Sequence, residues 1–253
     1  MKRILLILLI VTGARAQMIM HADFSGGAAP SSTLSNSLIS FWKMDETSGT
    51  RYDAIGDNDL TDVNTVGYAS GKSGSAADFE YSNQEYLIVN DNAQLSFNAN
   101  ENFTISLWVN LESTASYRPI LAKTDGMNAS DWEYDIYAGN SVPYFEVSDG
   151  SDWTSRSSGV TMSTATWYFI CAWYNTTTDS IYIQINNGTP LRAVATHEPR
   201  DYSGAFRIGS WNGNTYYWDG LIDDVGVWGR AGNQTTGHAM ADSIYNSGNG
   251  WRP

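Results

Sequence analysis

Between Phe103 and Leu111 every second residue is apolar. Phe103, Ile105, Leu107, Val109 and Leu111 alternate with Thr104, Ser106, Trp108 and Asn110, the period of a strand with a buried face. The same alternation returns at Ile181, Ile183 and Ile185, where Asn187-Gly188 supplies a hairpin turn. Pro119 to Lys123, Trp132 to Ala138, Tyr144 to Ser148 and Ala205 to Gly209 are further predicted strands. Strand signals spaced by about ten residues, with Gly, Asn and Asp between them, predict an all-β antiparallel sandwich. The one predicted helical turn is Ala239 to Tyr245. No internal repeat marks a second unit, and residues 37 to 253 are expected to form one domain.

Near the C-terminal end, Gly220 to Arg230 alternates as well. Leu221, Asp223, Val225 and Val227 are predicted on one face, and Ile222, Asp224, Gly226 and Trp228 on the other. A carboxylate in an apolar row is costly unless it is paired. Asp223 is therefore either a cation site or a solvated strand end.

The stretch Gly220-Leu-Ile-Asp-Asp-Val-Gly-Val-Trp-Gly-Arg230 resembles the closing signature of laminin-G-like jelly rolls in the concanavalin A-like lectin and glucanase superfamily. Leu38-Ile-Ser-Phe-Trp-Lys-Met-Asp-Glu-Thr-Ser-Gly49 is similar to the family's opening strand. Ala76 to Phe79, Tyr86 to Val89 and Phe103 to Val109 are similar to its middle blocks. The resemblance implies a two-sheet antiparallel jelly roll whose first and last segments lie close together. It also implies a structural Ca²⁺ held by Asp223 and by the loop around Asp45 and Glu46. Carboxylate and carbonyl oxygens suit that hard cation. Asp57-Asn58-Asp59 lacks the spacing of an EF-hand loop and is predicted to be a turn.

The N-terminus has a basic start at Lys2 and Arg3, an apolar core from Ile4 to Val11, and Ala14-Arg15-Ala16. This predicts a secretory signal peptide over residues 1–16 and an exported product. Residues 17–36, rich in Ser, Ala and Gly, are predicted to be a flexible leader. No apolar run is long enough to span a bilayer. The chain carries 27 acidic and 14 basic residues, a net of −13. Without Lys2, Arg3 and Arg15 the balance is 27 to 11, or −16. A field of that sign argues against nucleic acid and anionic membranes as partners and suits cations and neutral ligands. The lone Cys171 lies in an apolar strand, where a thiol behaves as a small hydrophobe.

Ten Trp and fifteen Tyr are heavy usage. Trp42, Trp108, Trp167, Trp173 and Trp228 sit inside strand patterns and are expected to pack. Trp132, Trp153, Trp211 and Trp218, with Tyr216 and Tyr217, fall at strand ends or in polar loops. Flat rings stack on the apolar faces of sugars while neighbouring Asn and Asp bond hydroxyls, so these six are the candidate ligand-binding residues. Trp132-Glu-Tyr-Asp-Ile-Tyr137 resembles the active-site strand of the superfamily's retaining glucanases, which place two carboxylates about 5–5.5 Å apart. Glu133 and Asp135 match, but Tyr137 stands where the acid/base glutamate is needed. No catalytic residue is therefore assigned.

The expectation is an exported, non-enzymatic carbohydrate-binding or surface-adhesion module whose partner is a glycan or glycoprotein surface. A structural or protein-interaction component of a cell surface or virus particle is the alternative, and a glycoside hydrolase of the glucanase type is a third.

Overall fold

The computed structural model describes residues 34–229 and 237–253. The expected signal peptide, most of the expected leader and Arg230 lie outside the described residues. The first eight strands are β1 (Leu38–Trp42), β2 (Thr61–Val63), β3 (Gly67–Ser70), β4 (Ser75–Phe79), β5 (Tyr86–Val89), β6 (Phe103–Leu111), β7 (Tyr117–Thr124) and β8 (Trp132–Gly139). Seven follow: β9 (Val142–Ser148), β10 (Trp153–Ser157), β11 (Trp167–Asn175), β12 (Ser180–Ile185), β13 (Leu191–Val194), β14 (Phe206–Ile208) and β15 (Gly220–Gly229). One helix, α1 (Gly237–Tyr245), comes after them. Among the described residues no helix is long and apolar enough to cross a membrane.

The strands form two antiparallel sheets, ordered β13-β12-β11-β6-β15-β4-β3, with β1 also on β15, and β10-β9-β8-β7-β14-β5-β2. This is the expected two-sheet jelly roll. Alternation on β6 explains how it closes. Phe103, Ile105, Leu107, Val109 and Leu111 point into the core between the sheets, against Leu121, Ile136 and Phe145 of the facing sheet. The opposite face of β6 is not left to water. Trp108 joins Phe169, Cys171, Trp173 and Trp228 in a second core, which α1 covers with Met240, Ala241 and Ile244. Helix and sheet touch closely here, since a side chain on Gly237 would collide with the Trp173 ring. Cys171 is a free, buried thiol, and burial pushes its pKa up.

The first and last strands meet as expected. β1 pairs with β15 from Leu38 opposite Trp228 to Trp42 opposite Val225. Leu34 is also buried in the second core, and its carbonyl accepts the Trp228 indole N–H at 2.9 Å. Leu34, expected in the leader, is therefore packed against the sheet.

The alternation expected of β15 is broken. Its leading residues Gly220 to Ile222 pair with β4, while Val225 to Trp228 pair with β1. A bulge falls between the two partners, after Asp223. Asp224 takes a left-handed φ of 47° there, a conformation aspartate tolerates better than most residues. The extra residue keeps Ile222, Val225 and Val227 in the inter-sheet core. Both Asp223 and Asp224 are thereby moved out of it, whereas simple alternation placed Asp223 with Val225 and Val227.

Candidate functional site

Of the two outer sheet faces, the one bearing β6, β11 and β15 is covered by α1. The other holds a cavity of about 220 Å³ over β7 to β10. Its wall contains Trp132, Trp153, Trp211, Tyr117, Tyr137 and Met127, and its floor contains Asp135 and Glu146.

Register explains the floor. Asn140 and Ser141 both take positive φ, at 50° and 65°, which makes a two-residue hairpin between β8 and β9. That turn sets Asp135 directly opposite Glu146. On the flanking strands, Ala122 lies opposite Asp135 and Ser155 opposite Glu146. The small Ala122 leaves room beside the acid pair. Arg207 of β14 is the next residue along this row, but it pairs with Asp125 at 3.1 Å and donates to the carbonyls of Thr124 and Trp211.

The acid pair is buried and polar contacts to it are few. The Trp211 indole N–H donates to Asp135 Oδ2 at 2.7 Å, and Asp135 Oδ1 has no hydrogen-bond partner among the described residues. The Tyr137 hydroxyl donates to Glu146 Oε1 at 3.2 Å. Burial raises the Asp135 pKa well above the carboxylate range, with repulsion from Glu146 adding to it and the Trp211 bond opposing it. Burial raises Glu146 too, against the hydrogen bonds from Ser155 and Tyr137. Two adjacent carboxyls in a low-dielectric site cannot both ionise without a cation.

The aromatic residues are held by one another. Trp211 meets Tyr137 edge-on at 5.5 Å and Tyr216 at 5.4 Å. Tyr216 also meets Tyr117 at 5.8 Å, but it lines the neighbouring cavity beside Tyr81 and Tyr217 rather than this one. Trp132 and Trp153 form the opposite wall, 6.3 Å apart, and Trp153 keeps 47% of its surface exposed. With Tyr216, two more of the six expected ligand residues are placed outside this cavity. Trp218 is fully buried in the inter-sheet core, because Trp218 N bonds the Gly209 carbonyl at 2.8 Å and draws the residue inward. Tyr217 is 3% exposed and its hydroxyl is bonded to Gly213 O. Its remaining edge lines a second, polar cavity of about 400 Å³ with Tyr81, Gln84 and Asn214.

Glu133 does not join Asp135. The β7–β8 register skips a residue beside it, with Lys123 opposite Tyr134 and Thr124 opposite Trp132. Trp132 and Asp135 both reach the cavity as a result, while the Glu133 carboxylate accepts the backbone N–H groups of Phe97 and Tyr202. The glucanase-like spacing is present in the chain but not displayed on one strand face. Glu146, which sequence reasoning missed, supplies the cavity's second carboxyl. The two-residue turn at Asn140-Ser141 was the signal that could have found it.

At the expected calcium position the structure brings together Asp223, Asp224 and Asp45 around the Arg252 guanidinium. Arg252 Nη1 lies 2.7 Å from Asp45, Nη2 3.4 Å from Asp223 and Nε 2.6 Å from Asp224. Asp223 Oδ2 also accepts Ser73 N at 3.0 Å. Glu46 is not in the cluster. It accepts Tyr52 N at 3.0 Å and faces Arg51, so Asp45 takes the place expected for Glu46. Three carboxylates around one guanidinium are a hard-oxygen donor set with charge to spare. Burial pushes Asp223 up to about 6, and burial together with Asp223 pushes Asp224 up to about 8. Among the described residues a separate carboxylate trio is formed by Asp78, Glu80 and Glu112.

Solved structures similar to this chain include binding domains of toxins. The binding domain of Paraclostridial Mosquitocidal Protein 1 superposes with a TM-score of 0.66 at 15% identity, covering 84% of this chain and 53% of that one. Domain 4 of a GH43 extracellular arabinanase from Geobacillus stearothermophilus, solved with arabinotriose, gives 0.57 at 18% identity, covering 81% and 98%. A botulinum neurotoxin type C structure, whose description ties cell entry to two ganglioside molecules, gives 0.61 at 14%, covering 87% and 53%. The chain thus spans about half the length of the toxin binding domains. No curated protein sequence matches it. A laminin-G family model does, over residues 81–236, and the chain belongs to that family of the concanavalin A-like lectin/glucanases superfamily.

Proposed function

We propose that this is an exported, non-enzymatic carbohydrate-binding module, with the cavity over β7 to β10 as its sugar site. The observation that carries this reading is the convergence of Trp132, Trp153 and Trp211 on one polar-floored cavity. It opens on the sheet face that α1 leaves free. Flat indole walls with carboxyl and hydroxyl groups between them match a sugar's apolar faces and its hydroxyl rim. The arabinotriose complex of domain 4 and the ganglioside description of the neurotoxin agree with a glycan partner. The volume is below the range of about 300–1,000 Å³ typical of drug-sized ligands, which favours one or two rings.

A glycan-array screen tests the reading. Binding to at least one oligosaccharide class is expected, weakened at least tenfold, or about 1.4 kcal/mol, in Trp153→Ala and Trp211→Ala. Trp153 is half exposed, so its replacement should leave the fold intact. Array binding unaffected by both changes would remove the site. A protein ligand captured in place of any glycan would favour the interaction-component alternative. Hydrolysis of the bound glycan is not expected, because Glu133 is turned away from the cavity and Tyr137 stands where the glucanase strand needs its acid/base glutamate. Turnover that vanishes in Glu146→Gln would show an enzyme instead.

We further propose that Asp45, Asp223 and Asp224 hold Ca²⁺ once Arg252 is withdrawn. In wild type the guanidinium takes the cation's place, and melting in Ca²⁺ and in chelator should nearly coincide. Arg252→Ala in chelator leaves buried carboxylates unpaired, a loss of about 3 kcal/mol. Ca²⁺ at a hundredfold excess over its dissociation constant should restore about 2.7 kcal/mol, and adding Asp223→Asn should abolish that recovery. Identical melting of Arg252→Ala with and without Ca²⁺ would dismiss the ion.

A further inference from the structure

We propose that the cavity prefers sugars carrying a free primary amine, with the ammonium group seated between Asp135 and Glu146; this rests on the carbohydrate reading above. Four observations point to a cation with N–H donors. Asp135 is 6% exposed and lines the cavity, and its buried Oδ1 has no hydrogen-bond partner among the described residues. A buried carboxylate oxygen left open in this way lacks a donor, and a neutral hydroxyl is a weaker match for it than N⁺–H. Glu146 stands opposite it, so two acids converge on one point. Neither has an ion pair among the described residues, because Arg207, the nearest cation in the row, is taken by Asp125. Indole and phenol rings line the wall, and rings of this kind attract ammonium groups.

A quaternary ammonium would also suit aromatic walls, but it has no N–H to give Asp135 Oδ1. The open acceptor therefore selects a primary amine, and the ring-sized volume with stacking walls selects one mounted on a sugar. Deacetylated hexosamine oligomers are the ligand class with both features. N-acetylation would remove the charge and place a carbonyl against the acid pair.

Proton balance follows from the same geometry. The groups facing the pair are Tyr117 on β7, Tyr137 on β8, Tyr144 on β9, Ser155 on β10, the Trp211 indole and the engaged Arg207. Asp131 lies behind the Gly126 wall. None of these neutralises two carboxylates, so the empty pair keeps one proton between them. A bound R–NH₃⁺ supplies the missing charge and that proton leaves to solvent, one released for each amine bound.

The experiment is calorimetric titration of the purified protein near pH 6 with a glucosamine tetrasaccharide, its N-acetylated counterpart and tetramethylammonium. Repeating it in buffers of different ionisation enthalpy counts the protons. The glucosamine oligomer should bind at least tenfold tighter than the acetylated one and release close to one proton. Asp135→Asn and Glu146→Gln should each erase both the preference and the release. Both remove a buried charge, so melting curves should show them folded. Equal affinity for the two oligomers overturns the inference and leaves the carbohydrate reading standing. So does a preference that survives in both variants. Tetramethylammonium binding as tightly as the glucosamine oligomer would make the cavity a quaternary-ammonium cage and overturn it. Failure to bind any sugar, charged or neutral, removes both readings together.

Discussion

Lowering the pH from 8 to 5 should stabilise this domain, by on the order of 3 kcal/mol from Glu133 alone. Glu133 is fully buried. Burial pushes its carboxyl up to about 8, although the Phe97 and Tyr202 N–H groups and the Lys123 ammonium oppose the rise. In the unfolded chain the same group titrates near 4.3. Between those two values the folded state holds a proton that the unfolded state has lost, so stability falls as pH rises across the window. Below about 4.3 both states are protonated and the contribution is complete. Above about 8 it is gone. Asp224, also raised to about 8, acts in the same direction. Denaturant titrations at pH 5, 6, 7 and 8 should show the trend, and Glu133→Gln should flatten much of it. A domain more stable at pH 8 than at pH 5 would mean that Glu133 is ionised in the fold.

Trp228→Ala should cost about 3–5 kcal/mol, the range for removing a large buried aromatic side chain. Trp228 is fully buried on the outer face of β15. Its ring crosses Gly226 so closely that a side chain there would overlap it. It also packs near Trp251, 6.3 Å away, and bonds Leu34 O. One residue thus ties together Leu34, the last strand and the C-terminal tail. Loss of packing should free Leu34 as well, so proteolysis near residue 34 should accelerate with the fall in melting temperature. A loss below 1 kcal/mol would show that α1 and the tail do not form a cooperative unit with the sheet.

The elements most readable from the chain were those where alternation was unbroken and one face was apolar. β6 is the clearest, and β1 and β15 were placed by blocks at opposite ends of the sequence. β10, Trp153-Thr-Ser-Arg-Ser157, escaped notice because an edge strand of a wet sheet needs no apolar row. The bulge at Asp223 and Asp224 was invisible for a different reason. Period-two alternation assumes one residue per step, and the change of partner from β4 to β1 adds one. The same limitation hid the turning away of Glu133. At the candidate site, Trp132, Trp153 and Trp211 were legible because large rings near strand ends or in polar loops lack a core to enter. Tyr217 and Trp218 share that local context, and only the pairing of Trp218 with Gly209 distinguishes them. Asp135 and Glu146 are eleven residues apart in the chain, and their meeting depends on the hairpin register alone.

The most direct measurement is a crystal structure of the protein soaked with the best oligosaccharide from the array. The expected result is a sugar ring bracketed by Trp132 and Trp153 on one side and Trp211 on the other, with Asp135 and Glu146 beneath it. A sugar bound instead in the cavity beside Tyr81 and Tyr217, or at the loops around Arg252, with the tryptophan cavity empty, would contradict the account.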